Sequence, residues 1–178
     1  MNTKDIVYVA LFAALTAALG LFPPLTLPAV GVPITAQSMG VMLAGALAGS
    51  KRGGYALLLF VILVAIGLPL LAGGRGGFGI FLGPSGGFIL SWPIAAFLIG
   101  WLFERHQGET PFALSLLYIA LGGVGVVYLI GVPWVAFSAE LTFVQAFTGS
   151  AGFIPGDIVK VVVAALIARG VRRAYPGL

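Results

Sequence analysis

The sequence contains no cysteine and a single histidine, His106, among its 178 residues. Without thiols the chain can form no disulfide bond and no thiolate metal site. One imidazole and a few scattered carboxylates supply too few ligands for a zinc centre. We therefore expect a protein with no bound metal and no cofactor of its own.

Charge is also scarce, since only 8% of the residues are charged and the formal net charge is +4. The basic residues form no run and do not alternate with aromatic residues, which excludes a nucleic acid as the partner. In contrast, 60% of the residues are hydrophobic, and the mean hydropathy is +1.14. Apolar stretches of about 20 residues recur, as in membrane-spanning helices. The composition predicts an all-α integral membrane protein, in contact with lipid, with one transmembrane domain over residues 1–178.

Prolines, glycines and short polar loops separate six apolar segments. We predict transmembrane helices at roughly 4–22, 34–50, 53–71, 85–103, 112–132 and 154–172. Seven of the nine basic residues then fall on one side of the membrane: Lys4, Lys51, Arg52, Arg105, Arg169, Arg172 and Arg173. Because basic residues concentrate in cytoplasmic loops, both termini are predicted to be cytoplasmic.

A signal peptide is the alternative interpretation of the first segment. The apolar run from Ile6 to Phe22 is longer than a usual signal-peptide core, and Pro23 and Pro24 suit a cleavage site poorly. We therefore favour a retained membrane span.

The predicted outer loops, at 21–33, 72–84 and 133–153, are long and rich in proline and glycine. Lipid does not tolerate exposed irregular backbone, so such loops either cover a cavity or lie in the membrane interface. We favour lids over a pocket, with 21–33 as the gate. The alternative is a set of interfacial aromatic belts that anchor the helices.

Asp157 and Lys160 begin the last apolar segment, where ionisable residues are unexpected. Such residues are costly inside a membrane and usually face a protein interior or a functional site. Residues three apart share one face of a helix, so the two side chains should meet. The pair predicts a binding site for a polar group; the alternative is a structural ion pair that stabilises the start of the helix.

Two short motifs resemble those of enzymes. Residues 74–79 fit G-x-G-x-x-G, but no strand precedes them and no acidic residue follows at the required distance, so they do not indicate a dinucleotide site. Residues 83–87 fit G-x-S-x-G around Ser85, which needs a nearby base. His106 lies about 20 residues away along the same helix, or ~30 Å. We expect no catalytic residues; an intramembrane serine hydrolase with a Ser85–Lys160 dyad is the enzymatic alternative.

Small residues recur every four positions along the first helix, at Ala10, Ala14 and Ala18. Such stripes allow another helix to approach closely in a membrane. The stripe serves either internal packing or the docking of a partner protein, and a first helix with one covalent neighbour favours the partner.

Several segments together resemble the BioY family, the biotin-binding S components of energy-coupling-factor (ECF) vitamin transporters. They are Pro33 to Gly45 (PITAQSMGVMLAG), Gly67-Leu68-Pro69, Ala72 to Gly77, Leu82 to Gly87 and Gly152 to Lys160. The resemblance implies a six-helix S-component fold, multi-pass in the plasma membrane of a prokaryote, with biotin bound near the outer face. An S component for another vitamin is the alternative within this class.

The resemblance also implies a complex with a transmembrane coupling subunit, docked on Ala10, Ala14 and Ala18, and with two ATPase subunits. The chain itself has no phosphate-binding loop, so ATP would be hydrolysed only by these partners.

The chemistry of biotin suggests a role for each candidate residue. Asp157 can accept hydrogen bonds from the ureido N–H groups, and Lys160 can donate to the ureido carbonyl. An i,i+3 pair spans only ~5–6 Å, so both residues should hold the same end of the ligand. Arg75, in a glycine-rich loop, is the candidate for the carboxylate, with Gln37 and Thr35 completing the polar set. The apolar walls are predicted to be Phe22, Trp92, Tyr128 and Phe153.

Overall fold

The computed structural model describes residues 1–26 and 31–175, and helices form most of this part of the chain. Two short antiparallel strands, β1 and β2, pair Leu25 with Ile34 and Thr26 with Pro33. The elements in chain order are α1 (Thr3–Leu19), β1 (Leu25–Thr26), β2 (Pro33–Ile34), α2 (Gln37–Leu43), α3 (Ser50–Ala65), α4 (Gly79–Leu82), α5 (Gly86–Arg105), α6 (Phe112–Ala120), α7 (Val127–Ser138), α8 (Phe143–Ala151) and α9 (Ile154–Ala174). Two π-helical stretches join this set: Ala44–Ala48 continues α2, and Leu121–Val126 joins α6 to α7.

Each of the six predicted apolar segments contains a helix. In the described residues, α5 and the continuous helix Phe112–Ser138 are long and apolar enough to cross a membrane. The pair α8 and α9 passes the same test as one broken span, bent by 54°. The all-α prediction is confirmed, and the helices carry apolar side chains on their outer surfaces, such as Leu129 and Ile158.

Both boundaries of the third predicted segment are wrong. The third helix begins at Ser50, three residues before the predicted start at 53, so Lys51 and Arg52 lie in its first turn. The chain turns one residue earlier, at Gly49, whose φ of 84° favours glycine. The third helix also ends at Ala65, six residues before the predicted end at 71.

The region 133–153 was predicted as a loop and is mostly helical. The helix that begins at Phe112 continues through Pro133 to Ser138, because membrane helices tolerate proline when neighbouring groups and local π-helical geometry satisfy the freed backbone. Thr142 then starts α8 with a capping box: its side chain accepts from the Gln145 N–H, and the Gln145 side chain accepts from the Thr142 N–H.

The centre of the bundle is the contact between α3 and α5. Phe60 on α3 is fully buried and packs against Trp92 on α5, with ring centroids 5.7 Å apart. Towards the other end of α5, a Cβ at Gly100 would lie 2.2 Å from the backbone nitrogen of Ser50. Glycine therefore permits the two helices to touch backbone to backbone, as small residues do in membrane bundles.

Candidate functional site

Asp157 and Lys160 lie in the first two turns of α9, where their side chains are only 10% and 15% exposed. Lys160 Nζ donates to Asp157 Oδ1 at 3.0 Å and to Ser38 Oγ at 3.0 Å. The Tyr128 hydroxyl donates to the second carboxylate oxygen, Oδ2, at 2.6 Å. These four side chains join α2, α7 and α9 in one polar network. A buried ion pair with additional hydrogen bonds of this kind fixes the relative positions of its helices.

A cavity of about 70 Å³ adjoins this network. Asp157, Lys160, Ser38 and Tyr128 form its polar side, and Phe88, Trp92 and Phe153 form its apolar side. The ring of Phe88 stands edge-on to Tyr128 at 5.9 Å and to Phe153 at 6.2 Å between centroids. The cavity thus combines one charged, hydrogen-bonded end with an aromatic wall, as small-molecule sites commonly do.

A second cavity, of about 40 Å³, continues the first along α5. Thr35, Phe88 and Trp92 line both cavities, and the second is completed by Gln37, Arg75 and Ser85 among others. Because they share these residues, the two cavities are neighbours. We call the pair the elongated cavity: a carboxylate–ammonium pair lines one part and a guanidinium lines the other.

The loop that carries Arg75 is held in a tight hairpin. Leu71 and Arg75 exchange two backbone hydrogen bonds, of 2.9 and 3.1 Å. Between them, Gly73 and Gly74 adopt positive φ angles of 79° and 69°, which other residues rarely adopt. The Arg75 Nε donates to the Ala72 carbonyl at 3.2 Å, so the side chain folds back over its own loop towards the second cavity.

Gln37 connects this loop to α1. Its side chain is fully buried, and Nε2 donates to the carbonyl oxygens of Thr16 at 3.1 Å and Leu70 at 2.9 Å. Its Oε1 accepts from the Ala72 N–H at 2.9 Å. One amide side chain thereby satisfies groups on α1 and on the Arg75 loop while also lining the second cavity.

Comparison with known proteins identifies the family. The BioY family profile matches residues 1–177. The biotin transporter BioY of Rhizobium etli is 48% identical over 181 residues, covering 99% of this chain and 97% of the relative. The chain belongs to the BioY family.

Further relatives agree with this BioY membership. The biotin transporter BioY of Rhodobacter capsulatus is 47% identical, over 97% of this chain and 95% of the relative. A crystal structure of the S-component for biotin from an ECF-type ABC transporter superposes with a TM-score of 0.90 at 34% identity, over 97% of this chain and 95% of that chain. The chain thus has the S-component fold and is a multi-pass protein of the cell membrane.

The structure brings together most of the candidate ligand-binding residues of this BioY chain. Six line the first cavity: Thr35, Trp92, Tyr128, Phe153, Asp157 and Lys160. Gln37 and Arg75 line the second. Phe22 is the exception, because it is 60% exposed and lines neither cavity. It follows α1, whose last residue is Leu19, and its ring lies on the surface.

Sequence reasoning missed several lining residues, Phe88 and Ser38 among them, and one role. Phe88 precedes Trp92 by four positions on α5, so their shared helix face could have indicated it. Ser38 carries no signal of its own, because its contact with Lys160 joins residues 122 positions apart. Tyr128 was predicted as an apolar wall, yet its hydroxyl is also a hydrogen-bond donor to Asp157.

The proposed Ser85–Lys160 dyad is not formed. Ser85 lines the second cavity, whereas the hydrogen bonds of Lys160 Nζ go to Asp157 and Ser38. A serine nucleophile needs a base within hydrogen-bond reach.

No group of three or more His, Asp or Glu side chains suitable for a metal ion occurs among residues 1–26 and 31–175.

The alanine stripe of α1 lies on the open surface of the bundle. Ala10, Ala14 and Ala18 are exposed, while the opposite face buries Phe12 and Thr16. Among residues 1–26 and 31–175, the stripe is therefore not a packing face.

Proposed function

We propose that this chain binds biotin in the elongated cavity and mediates its uptake as the S component of an ECF-type transporter. It forms one transmembrane domain of six spans, with both termini in the cytoplasm and the cavity near the outer face of a prokaryotic plasma membrane. The observation that carries the proposal is the buried Asp157–Lys160 pair, held by Tyr128 and Ser38 against an aromatic wall.

The hydrogen-bonding capacity of the pair matches the ureido ring. An ammonium group has three donors, and Lys160 uses two of them on Asp157 and Ser38. The third is available to the ureido carbonyl. A carboxylate has about four acceptor positions, and Asp157 uses one on each oxygen. The remaining positions suit the two ureido N–H groups, and charge-assisted bonds in a dry site are strong.

The rest of biotin has partners along the same site. Its thiophane ring and valeryl chain are apolar and would lie against Phe88, Trp92 and Phe153. Its carboxylate would then reach the second cavity, where Arg75 supplies a guanidinium and Thr35 a hydroxyl. This order places the two polar ends of the ligand on the two polar ends of the cavity.

Ligand entry requires the outer segments to move. Volumes of about 70 and 40 Å³ are far below the roughly 300–1,000 Å³ of most small-molecule sites. Val32, Pro33 and Thr35 line both cavities, in or beside the strand β2. Val32 and Pro33 end the segment 21–33, and Thr35 follows it closely, which supports this segment as the gate. Residues 27–30 of the segment lie outside the described residues.

Transport is energised by partner subunits in this proposal. A transmembrane coupling subunit docks on the exposed stripe of Ala10, Ala14 and Ala18, where small side chains allow a second helix to approach closely. Two ATPase subunits hydrolyse ATP, and this chain is a binding and translocating subunit without enzymatic activity.

The test is direct measurement of biotin binding by the purified protein in detergent, using isothermal titration calorimetry and thermal unfolding. Saturable binding is expected, and biotin at 100 times its dissociation constant should stabilise the fold by about 2.7 kcal/mol. Competition by thiamin or riboflavin distinguishes a different vitamin. Displacement of biotin by either one, or the absence of saturable biotin binding, would contradict the proposal.

A further inference from the structure

A larger cleft, distinct from the two cavities described above, lies at the other end of α9, where the basic residues gather. Its volume is about 580 Å³, and it is lined by Phe103, Glu109, Ser115, Arg169, Arg172 and Arg173 among others; we call it the basic cleft. Arg169 follows Asp157 by twelve positions along α9, which corresponds to about 18 Å of helix. The basic cleft is therefore separate from the biotin cavity.

Three arginines of α9 converge on this cleft. Their spacing of three and four residues places Arg169 on the same helix face as Arg172 and Arg173. Within the described part of the chain, the Arg169 Nε is buried and has no hydrogen-bond partner. Its guanidinium lies 5.7 Å from the ring centroid of Phe112. A buried donor without an acceptor is costly, so an acceptor brought by a ligand would stabilise this site.

The protein balances the charge of the three arginines only in part. Arg173 Nε donates to Glu109 Oε1 at 2.8 Å, in a pair whose side chains are more than half exposed. Arg172 Nε donates to a neutral acceptor, the Ala46 carbonyl, at 2.9 Å. Glu104 on α5 is near enough to attract Arg172 electrostatically, although its oxygens accept hydrogen bonds from Ser50 N and Oγ at 2.7 and 2.6 Å and not from an arginine. Among the residues described as lining the cleft, three guanidiniums face one carboxylate.

The two helices that supply lining residues to the basic cleft, α6 and α9, also carry exposed apolar side chains. Leu117 on α6 is 49% exposed, and Leu166 on α9, one turn before Arg169, is 55% exposed. Phe103, itself a lining residue, carries the Arg172 guanidinium over its ring at 4.6 Å. A ligand that fits this arrangement has an anionic head for the arginines and hydrocarbon chains for the exposed leucines of α6 and α9.

We propose that the basic cleft binds the phosphate headgroup of an anionic phospholipid from the leaflet at this end of the protein. Basic pockets between transmembrane helices are known to take such headgroups. The phosphate oxygens accept from Arg169 and Arg172, and the acyl chains lie along α6 and α9. The lipid thereby ties the end of the last helix to α6.

The test uses the full-length protein in detergent, titrated with short-chain phosphatidylglycerol or phosphatidylcholine while lipid retention is followed by native mass spectrometry and unfolding by temperature. We expect phosphatidylglycerol, and not phosphatidylcholine, to be retained and to raise the midpoint of unfolding. Arg169→Gln should weaken phosphatidylglycerol binding about fivefold, the effect of one cation near a membrane surface.

The matched control is Arg105→Gln. It removes the same charge from the same end of the bundle, but Arg105 packs its guanidinium over Trp101, at 4.1 Å, outside the basic cleft. This variant should retain phosphatidylglycerol as the wild type does. Arg173→Gln is a second cleft variant for the case in which Arg169→Gln does not fold. Because Arg173 is exposed, its replacement should leave the fold intact. Helix content by circular dichroism verifies folding in each case.

Three results would overturn the proposal. The first is equal retention of both lipids by the wild-type protein. The second is an equal loss of phosphatidylglycerol from Arg105→Gln and from the cleft variants, which would indicate a diffuse surface charge effect. The third is an equal thermal shift with inorganic phosphate at the same concentration, which would assign the cleft to a soluble anion.

Discussion

The Tyr128 hydroxyl donates to Asp157 Oδ2 at 2.6 Å and joins α7 to the first turn of α9. Lys160 holds the other carboxylate oxygen of Asp157 at 3.0 Å. The carboxylate is therefore held at both oxygens, and Asp157 lines the first cavity. A preorganised acceptor loses little freedom when a ligand binds, which favours affinity.

Replacing Asp157 by Asn should weaken biotin binding at least about tenfold. The amide keeps the shape of the side chain but removes the negative charge, and charge-assisted hydrogen bonds are roughly twice as strong as neutral ones. Isothermal titration calorimetry measures the change. Asp5→Asn, at a pair with Arg52 far from the cavity, is the control and should bind normally. Unchanged affinity in Asp157→Asn would remove the ureido assignment.

Replacing Tyr128 by Phe isolates the contribution of the hydroxyl group. The ring remains against Phe88, so only the hydrogen bond to Asp157 is lost, at a cost of about 1 kcal/mol or a factor of about five in biotin affinity. The control is Tyr118→Phe, whose ring packs edge-on to Phe103 at the basic end. An equal effect of the two changes on biotin affinity would contradict a specific role for Tyr128.

Replacing Arg75 by Gln tests the position of the biotin carboxylate. The wild type should bind biotin more tightly than biotin methyl ester, since the ester cannot form a charge-assisted bond with the guanidinium. In Arg75→Gln this preference should fall by about tenfold or disappear, while binding of the ester itself changes little. Competition titrations with the two ligands give the difference. If the preference for biotin survives the substitution, the carboxylate lies elsewhere.

Replacing Gln37 by Leu should destabilise the protein. The change leaves the Leu70 carbonyl and the Ala72 N–H without the partners they have now, and each buried unsatisfied group costs ~1–3 kcal/mol. Thermal unfolding in detergent should show a lower midpoint together with weaker biotin binding. Gln107→Leu, at an exposed loop position, should leave both measurements unchanged. Equal stability of Gln37→Leu and the wild type would show that the hydrogen bonds of Gln37 to Thr16, Leu70 and Ala72 are dispensable.

Replacing Ala14 by Leu separates partner docking from ligand binding. Ala14 is exposed on α1, so the larger side chain fits the isolated protein but blocks the close approach of another helix. Biotin affinity should stay the same, while co-purification with the coupling subunit and biotin uptake by cells should fall. Ala113→Leu, exposed on α6, is the control for added apolar bulk. Normal uptake in Ala14→Leu would place the docking surface elsewhere.

Local patterns predicted much of this molecule correctly. Each of the six predicted apolar runs contains a helix, as expected for apolar segments whose backbone polar groups must be satisfied internally in lipid. The Asp157–Lys160 contact followed from helical periodicity alone, and the structure confirms that contact. The continuation through Pro133 was missed, because proline ends helices in water more reliably than in a bundle whose neighbours satisfy the freed groups.

The sequence by itself determined the fold class, the approximate helix positions and the charged pair on α9. The tertiary structure alone decided that Ser38 meets Lys160, that Phe88 packs against Tyr128 and Phe153, and that Gln37 connects α1 to the Arg75 loop. The physical reason is distance along the chain. Hydropathy and helical periodicity act over a few turns, whereas these contacts join segments that meet only when the bundle packs.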